Sequence, residues 1–388
     1  MIVEIKGVQF VNKGAELMLR VIVDRLSTLL PGIEFAIAPG PNSPYEKIIK
    51  AGALLRLRVS ASLGGFDRLT YFVPRRARLL LRRYGTVVES DLDGVIDASG
   101  YAYGSIWGDH SMIQTAREIE RFAIRGKPYI FMPQAFGPFS GGPAVTQFAA
   151  ALRRAALVCA RDPDSQRALA ELPGGPSSTL RSYPDFTTTA DSRSSQSERR
   201  PIDKKIALIV PNVEMIGSRN TADDWRTRYF EVMSAACDEA AKLGYTVRVL
   251  NHEGPRDQDL CDRLAAAAGL GSVIAESDPL ALRGLIGAAG LLIGSRFHAL
   301  VAGLSQAVPC IGTSWSHKYR HLFADYGVEP MLLIEPDAIA MRRLVRQAAT
   351  DTVVLREALL ARQTTIAART EEMWREVLAA LRRPSTSQ

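Results

Sequence analysis

Short runs of apolar and β-branched residues alternate along the chain with longer stretches in which apolar residues recur every three or four positions. The short runs predict buried strands and the longer stretches predict amphipathic helices; their alternation is typical of βαβ units with parallel sheets. The predicted strands are Ile2–Ile5, Glu34–Ala38, Gly94–Asp97, Tyr129–Met132, Leu157–Ala160, Ile206–Val210, Thr246–Asn251, Leu291–Gly294 and Pro309–Gly312. The clearest predicted helices are Ala15–Leu30, His110–Arg125, Trp225–Leu243, Asp257–Ala268, His298–Ser305 and Thr352–Arg383.

A Ser-rich, charged stretch at residues 189–205 interrupts this alternation and has the composition of a linker. The length of 388 residues also favours two domains. We therefore predict an α/β protein with two Rossmann-like domains facing a cleft, at residues 1–188 and 206–350. The last helix follows no strand, and we expect residues 351–388 to pack back on the first domain.

The N-terminus carries Glu4 and Lys6 where a signal peptide would be apolar, and every apolar run is too short to cross a bilayer. Four well-separated cysteines, with no CxxC pair, favour a reducing compartment. We expect a cytoplasmic protein. The formal charge is +7, but Lys47–Arg83 alone carries ten Lys and Arg against one acid, Asp67. The excess charge is therefore local.

Several common motifs are absent from the sequence: GxGxxG, GxxxxGK[ST], HExxH and GxSxG do not occur. Their absence disfavours dinucleotide dehydrogenases, P-loop hydrolases, zinc proteases and α/β-hydrolases. Asp91 and Asp93 alone make an incomplete oxygen cage, so we expect no metal and no bound cofactor.

The stretch from residue 279 to residue 324 contains no Asp or Glu but holds Arg296, His298 and Lys318. It is predicted to form a strand, a tight turn at Ser295, a helix and a further strand. Ligands of open α/β sheets bind at the carboxyl ends of strands, and a helix N-terminus there favours anions. The alternative is that Ser295 only caps its helix and that Arg296, His298 and Lys318 lie on solvated helix starts. The pattern favours an anion site.

The segments around Ser295 and Lys318, together with four others, resemble in order the motifs of the polysaccharide pyruvyl transferase family. Two departures leave the acceptor open: Ala15 stands where many members carry Asp, and Ser316-His317 precedes Lys318 where Tyr-Asp is more usual. The matching segments are VQFVNKGAELML (8–19), PQAFGPF (133–139), ARDPDSQRAL (160–169), YPDF (183–186), SRFHALVAGLSQAVPCIG (295–312) and SHKYRHLF (316–323).

The resemblance implies a GT-B-like fold, with the acceptor on the N-terminal domain and the donor on the C-terminal domain. It also implies phosphoenolpyruvate as donor and a cyclic pyruvate ketal on two sugar hydroxyls as product, in exopolysaccharide or cell-surface glycan biosynthesis. On this basis Arg161, Ser295, Arg296 and Lys318 bind the donor. For Arg161, an ion pair with one of its neighbouring acids remains the alternative.

His298 is expected to be the general acid, with Arg296 beside it, because the charges of a bound polyanion outweigh the helix dipole and keep the imidazole protonated. The expected acceptor residues form a turn after the first strand and an aromatic group beyond Gly94–Asp97. For the aromatic residues, the alternative is that they only pack within the loop. They are Asn12, Lys13, Gly14, Glu16, Tyr101, Tyr103 and Gln134, with Trp107 and Asp185 as further candidates.

Two other functions stay open: a nucleotide-sugar glycosyltransferase of the same fold, and a non-catalytic glycan- or anion-binding protein. The lack of acids from residue 279 to residue 324 counts against the glycosyltransferase. No nucleic-acid module is present, so we expect no nucleic-acid partner. The Arg-rich helix within Lys47–Arg83 is amphipathic, with its arginines on one arc. We expect peripheral contact with the inner face of the membrane, which suits a lipid-linked oligosaccharide acceptor.

Overall fold

A computed structural model of the chain describes residues 1–58, 66–190, 202–218, 220, 222–314 and 317–382, without the side chains of Phe66 and His317. The chain divides into two compact units. The first comprises Met1–Val11, Met18–Phe186 and Arg369–Gln388, and the second comprises Asn12–Leu17 and Thr187–Ala368. Most of the stretch predicted as a linker, residues 191–201, lies outside the described residues, and its last residues already form a strand.

The first unit is built on a parallel sheet, in which the described residues form nine strands in the order β4-β3-β2-β1-β5-β7-β8-β9, with β6 paired to β7. Every residue of β5, β7 and β8 is buried, as expected for strands covered on both faces. The strands are β1 (Ile2–Lys6), β2 (Glu34–Ile37), β3 (Leu54–Arg56), β4 (Thr86–Val87), β5 (Gly94–Asp97), β6 (Tyr101–Tyr103), β7 (Tyr129–Phe136), β8 (Leu157–Ala160) and β9 (Leu180–Ser182). The helices are α1 (Lys13–Leu29), α2 (Tyr45–Lys50), α3 (Arg75–Arg83), α4 (Asp109–Ala123), α5 (Pro143–Leu152) and α6 (Pro163–Ala170).

The second unit has a parallel sheet of its own, in the order β12-β11-β10-β13-β14-β15 among the described residues. Its two central strands, β10 and β13, are apolar and buried where they pair. The strands are β10 (Asp203–Val210), β11 (Thr246–Asn251), β12 (Ile274–Ala275), β13 (Ala289–Gly294), β14 (Cys310–Thr313) and β15 (Leu332–Leu333). The helices are α7 (Asp223–Lys242), α8 (Gln258–Ala267), α9 (Pro279–Gly287), α10 (Phe297–Leu304), α11 (His317–Asp325), α12 (Ala338–Thr350) and α13 (Thr352–Arg382).

The α13 helix starts in the second unit, and from Arg369 onward it belongs to the first. In the first unit its Trp374 is 1% exposed and packs edge-on against Phe186, with ring centroids 6.1 Å apart. A buried tryptophan of this size anchors the end of the helix in the core of that unit. None of the helices among the described residues is long and apolar enough to cross a membrane.

The predicted α/β class with parallel sheets in two domains is therefore confirmed. All nine predicted strands exist, and Gly94–Asp97, Leu157–Ala160 and Thr246–Asn251 have the predicted bounds. The strands that the sequence did not predict are short, and several lie at or near a sheet edge.

Candidate functional site

The turn between β13 and α10 in the second unit is held by buried hydrogen bonds. The Ser295 side chain is fully buried, and its hydroxyl lies 2.6 Å from both the Tyr229 and the Thr313 hydroxyl oxygens. The Ser295 carbonyl accepts from the Asn212 amide at 2.9 Å and from the Tyr319 hydroxyl at 2.8 Å. Ser295 thus fixes the backbone from which Arg296 and His298 project; direct contact of its hydroxyl with a donor stays a prediction.

Arg296 lies against two buried carboxylates. Its Nε donates to Asp257 at 2.7 Å, a second guanidinium nitrogen donates to the same carboxylate, and Nη1 lies 3.5 Å from a Glu253 oxygen. Although burial acts to lower the pKa of Arg296, the charges of Glu253 and Asp257 outweigh it and raise that pKa. Arg296 is 8% exposed. The acid-free stretch of sequence therefore does not form an acid-free site.

The two acids come from the segment between β11 and α8, which sequence reasoning did not single out. Asp257 is fully buried and also accepts from the Val213 backbone N–H at 3.0 Å. Burial acts to raise the pKa of Glu253, but a hydrogen bond from His252 and the charge of Arg296 lower it below its usual value. The sequence did contain a signal for these acids. They follow the predicted strand Thr246–Asn251, and parallel sheets bind ligands at the carboxyl ends of their strands.

His298 is the second residue of α10 and is half-buried. A methyl group built on Gly14 would lie within 2.7 Å of three atoms of the His298 ring, Nδ1, Cγ and Cε1. Gly14 belongs to the part of α1 that groups with the second unit. The structure therefore brings the predicted N-terminal turn directly against the predicted catalytic histidine.

That turn is ordered by its own side chains. The Asn12 side-chain oxygen accepts from the Ala15 backbone N–H at 2.8 Å, which caps the start of α1. The Lys13 ammonium pairs with Glu16 at 2.8 Å, and Glu16 is 7% exposed. The predicted role of Glu16 in accepting a proton from a sugar hydroxyl stays a prediction.

Lys318 lies on the other side of the same turn. Its ammonium is 5.3 Å from the centroid of the Phe297 ring, and the Phe297 ring is perpendicular to that of His298, with centroids 5.5 Å apart. An ammonium over an aromatic face is attracted by the ring electrons. Residues 315 and 316, including the departure from the family pattern at Ser316, lie outside the described residues, as does the side chain of His317.

In the first unit, polar groups meet where β5 and β7 end. The Asp97 carboxylate accepts from the Tyr103 hydroxyl at 2.5 Å, from the Ser99 hydroxyl at 2.7 Å and from the Gln134 amide at 3.4 Å. The expectation that Tyr103 stacks on a sugar is wrong, because the ring is 2% exposed and packs against Phe148 in the core. Gln134 is fully buried as well and holds Asp97 in place.

Tyr101 and Trp107 remain half-buried, with ring centroids 5.4 Å apart, and the Tyr101 hydroxyl donates to the Gly137 carbonyl at 3.0 Å. Neither ring is in the core, so either can still offer a surface to a ligand. Tyr101, Tyr103 and Gln134 belong to the first unit, whereas the Asn12–Glu16 turn belongs to the second.

Arg161 follows β8 and is 8% exposed. Its guanidinium pairs with Asp185 at 3.0 Å and also donates to the Gly100 carbonyl at 3.4 Å. Asp162 instead caps α6 through the Ser165 N–H, and Asp164 pairs with Arg167. Arg161 therefore pairs with Asp185, an acid of the YPDF segment that lies 24 residues away in sequence.

Among the described residues, no cluster of three or more His, Cys, Asp and Glu side chains is arranged to hold a metal ion. No curated protein sequence matches the chain. Its fold is similar to that of UDP-GlcNAc 2-epimerase from Neisseria meningitidis, with a TM-score of 0.59, 9% identity and coverage of 97% of this chain and 99% of that one. It is also similar to trehalose 6-phosphate synthase from Burkholderia multivorans, with a TM-score of 0.56, 11% identity and coverage of 98% of both chains.

A third similar structure is a UDP-glucosyltransferase from Polygonum tinctorium, with a TM-score of 0.54, 11% identity and coverage of 99% of both chains. At these identities the likeness establishes the GT-B fold alone. The family model for polysaccharide pyruvyl transferases, in contrast, matches residues 12–317, which include the N-terminal turn, Arg161 and the Arg296-Phe297-His298 turn. The chain belongs to the polysaccharide pyruvyl transferase family.

Proposed function

We propose that this protein transfers the pyruvyl group of phosphoenolpyruvate to two hydroxyls of a sugar, in the biosynthesis of an exopolysaccharide or cell-surface glycan. The observation that carries the proposal is the Arg296-Phe297-His298 turn. It lies within the family match, is fixed by buried hydrogen bonds, and has the Lys318 ammonium beside it. Such a turn supplies a fixed cation and a titratable ring at the N-terminus of a helix, which suits a small polyanion.

The proposed reaction begins with transfer of a proton from the His298 imidazolium to the methylene carbon of the donor. The oxygen of one sugar hydroxyl bonds to the adjacent carbon, and its proton returns to the imidazole. The carbon–oxygen bond to phosphate then breaks, and a second sugar hydroxyl closes the ketal while its proton leaves with inorganic phosphate. One donor and one diol thus give one cyclic ketal and one phosphate, with no oxidant and no cofactor.

In this scheme Lys318 and the protonated His298 offset most of the negative charge of the donor, while Arg296 and Arg161 stay predicted donor contacts. The acceptor approaches over Asn12, Lys13, Gly14 and Glu16, because Gly14 is in contact distance of the His298 ring. Only glycine permits this close approach of the turn to the ring, since an added methyl group would overlap the imidazole.

The test is release of phosphate from phosphoenolpyruvate that depends on an acceptor, measured with a panel of free and lipid-linked glycosides and with product analysis by mass spectrometry. We expect His298→Ala to lower turnover by about 10²–10⁴-fold while donor binding, measured by calorimetry, is retained. His298→Asn should be as inactive, since an amide cannot deliver the proton. Normal turnover by either variant would refute the role of His298, and phosphate release without an acceptor would refute the transfer.

A nucleotide-sugar glycosyltransferase is the second candidate, and one observation favours it. The carboxylate that such an enzyme uses to hold a ribose is absent from the sequence near α10, but Glu253 lies 3.5 Å from Arg296 in the structure. Incubation of the protein with UDP-sugars and the same acceptors distinguishes the two. Acceptor-dependent release of UDP, without consumption of phosphoenolpyruvate, would replace our proposal with this one, whereas binding without turnover would indicate a binding protein.

We also propose that the reaction takes place in the cytoplasm. All four cysteines are buried free thiols, and burial raises the pKa of each of them. Buried thiols without disulfide partners suit a reducing compartment. Fractionation of cells that produce the tagged full chain would test this, and recovery from an oxidising compartment would contradict it.

A further inference from the structure

The α3 helix presents an outer surface in which arginine and apolar side chains alternate. None of the α3 residues is buried. Arg75, Leu79 and Arg83 follow one another at intervals of four, and Arg76, Leu80 and Tyr84 form the adjacent row, so the two rows share one face of the helix. We call these six residues the α3 face.

Two other arginines of the helix are half-buried and attach it to the first unit. Arg78 pairs with Asp91 at 2.6 Å, and Arg82 pairs with Glu34 at the start of β2. The five arginines still share the predicted broad arc of the helix, and within that arc these two are paired with carboxylates. The paired arginines fix the orientation of the helix, and the α3 face is turned to solvent because of it.

The apolar side chains of this region are unusually exposed. Leu79 is 53% exposed, Leu80 55% and Tyr84 73%, and Phe72 in the preceding 3-10 helix reaches 82%. With Leu69, these make five of the nineteen large apolar side chains that are exposed among the described residues, within a stretch of only sixteen positions. Leu69 and Phe72 are three residues apart in that 3-10 helix, a spacing that places them on the same side.

The charges on the α3 face have no acidic partner among the described residues. Among the residues that the structure describes, no carboxylate lies within 4.0 Å of the guanidinium groups of Arg75, Arg76 or Arg83. If two copies of this chain paired through their α3 faces, the three arginines of one would lie against the three of the other. The repulsion between these like charges disfavours self-association. A surface of phosphate headgroups over acyl chains accepts both components, since guanidinium forks pair with phosphate while leucine and aromatic rings enter the interface.

We propose that the α3 face, together with Leu69 and Phe72, binds the surface of an anionic lipid bilayer. The helix lies parallel to the membrane, with Arg75, Arg76 and Arg83 among the headgroups. Leu79 and Leu80 enter the boundary between headgroups and acyl chains. The inference concerns binding only, and it holds whether or not the proposed reaction is correct.

The experiment is sedimentation of the full chain with vesicles of phosphatidylcholine alone and of phosphatidylcholine with phosphatidylglycerol, at about 0.1 M salt, where the screening length is about 10 Å. We expect binding to the anionic vesicles only, and its loss as the salt is raised. The variant R75Q/R76Q/R83Q should bind about a hundredfold more weakly, from three lost arginine–headgroup contacts. The variant L79Q/L80Q should weaken binding without changing its dependence on salt.

Two control variants match these changes elsewhere on the protein. R226Q/R228Q/R343Q removes the same formal charge from exposed helical arginines, and V353Q/V354Q replaces an adjacent apolar pair that is 67% and 65% exposed. Both should bind vesicles like the unmodified protein, and urea unfolding of every variant should show an intact fold. Failure of the unmodified protein to bind anionic vesicles would overturn the proposal, as would equal loss in the controls. Dimerisation that L79Q/L80Q abolishes would instead identify a second copy as the occupant.

Discussion

Replacement of Gly14 by alanine tests whether the N-terminal turn and His298 act as one site. The added methyl group would lie within 2.7 Å of the imidazole ring, whereas ordinary van der Waals contact begins at about 3.4 Å. The ring must therefore move by roughly 1 Å, and a displacement of that size at a reacting group costs about 10²-fold in rate. We expect turnover with phosphoenolpyruvate and acceptor to fall by about that factor in kcat.

The fold should tolerate the change. The φ angle of Gly14 is outside the left-handed region, so alanine fits the backbone, and its better helix propensity of up to about 1 kcal/mol offsets part of the overpacking cost of about 1–3 kcal/mol. Gly284→Ala is the matched control, because this helical glycine has open space around it. It should leave activity unchanged and raise the free energy of unfolding by up to about 1 kcal/mol.

Three measurements follow the Gly14→Ala experiment: kcat and KM, the urea midpoint, and the proton resonances of the His298 ring. For Gly14→Ala we expect a lower kcat, a urea midpoint that shows a retained fold, and a shifted resonance of the His298 ring. Normal kcat in Gly14→Ala would refute the reasoning, because it would mean that a displaced ring reacts as well as the native one. Loss of the fold in Gly14→Ala but not in Gly284→Ala would also refute it, since the effect would then be structural.

Two further predictions concern buried charge. Arg56 is fully buried and pairs with Glu4 and Glu89, which keep Arg58 and Arg121 as their remaining partners. Arg56→Met therefore removes one ion pair from each buried carboxylate and should cost about 3 kcal/mol in urea unfolding. Arg167→Met, at an exposed pair, should cost about 0–1 kcal/mol, and equal losses would contradict this. The folded-state pKa of Glu253 lies below its usual value of 4.5, so this carboxylate stabilises the fold above that pH, and the contribution is lost as the pH falls through the folded pKa. Glu253→Gln should therefore make the urea midpoint less dependent on pH between about 6 and 3, and an unchanged slope would show that the ion pair does not form.

The sequence predicts the central strands well because each is a continuous apolar run buried on both faces, as in Gly94–Asp97 and Leu157–Ala160. Strands β3 and β4 have three and two residues, too few for a periodic signal, and pairing with their neighbours defines them. Such short strands form because of their neighbours in the sheet, and the local sequence pattern does not predict them.

The same limit applies to charged side chains. The local sequence identifies Arg296 and His298 as a cationic turn, but Asp257 reaches Arg296 from a segment 39 residues away. On α3 the helical wheel groups the arginines together, yet the partners Asp91 and Glu34 decide which of them are paired. The sequence pattern shows on which helix or turn a charged side chain lies. Whether an opposite charge pairs with it depends on residues that are distant in sequence and become neighbours only in the fold.

The pairing of Arg296 with two carboxylates changes the roles that we assign to Arg296 and His298. Arg296 with Glu253 and Asp257 carries a formal charge of −1, and rotating the guanidinium toward a substrate would leave two buried carboxylates unpaired, at a cost of several kcal/mol. Arg296 is therefore better suited to hold Glu253 in place than to bind a donor on its own. The charge of His298 is a further cause of the lowered pKa of Glu253, so the two groups lie close enough to interact. In the proposed reaction the positive charge offered to a polyanion then comes mainly from His298 and Lys318, both of which lie beside the Phe297 ring.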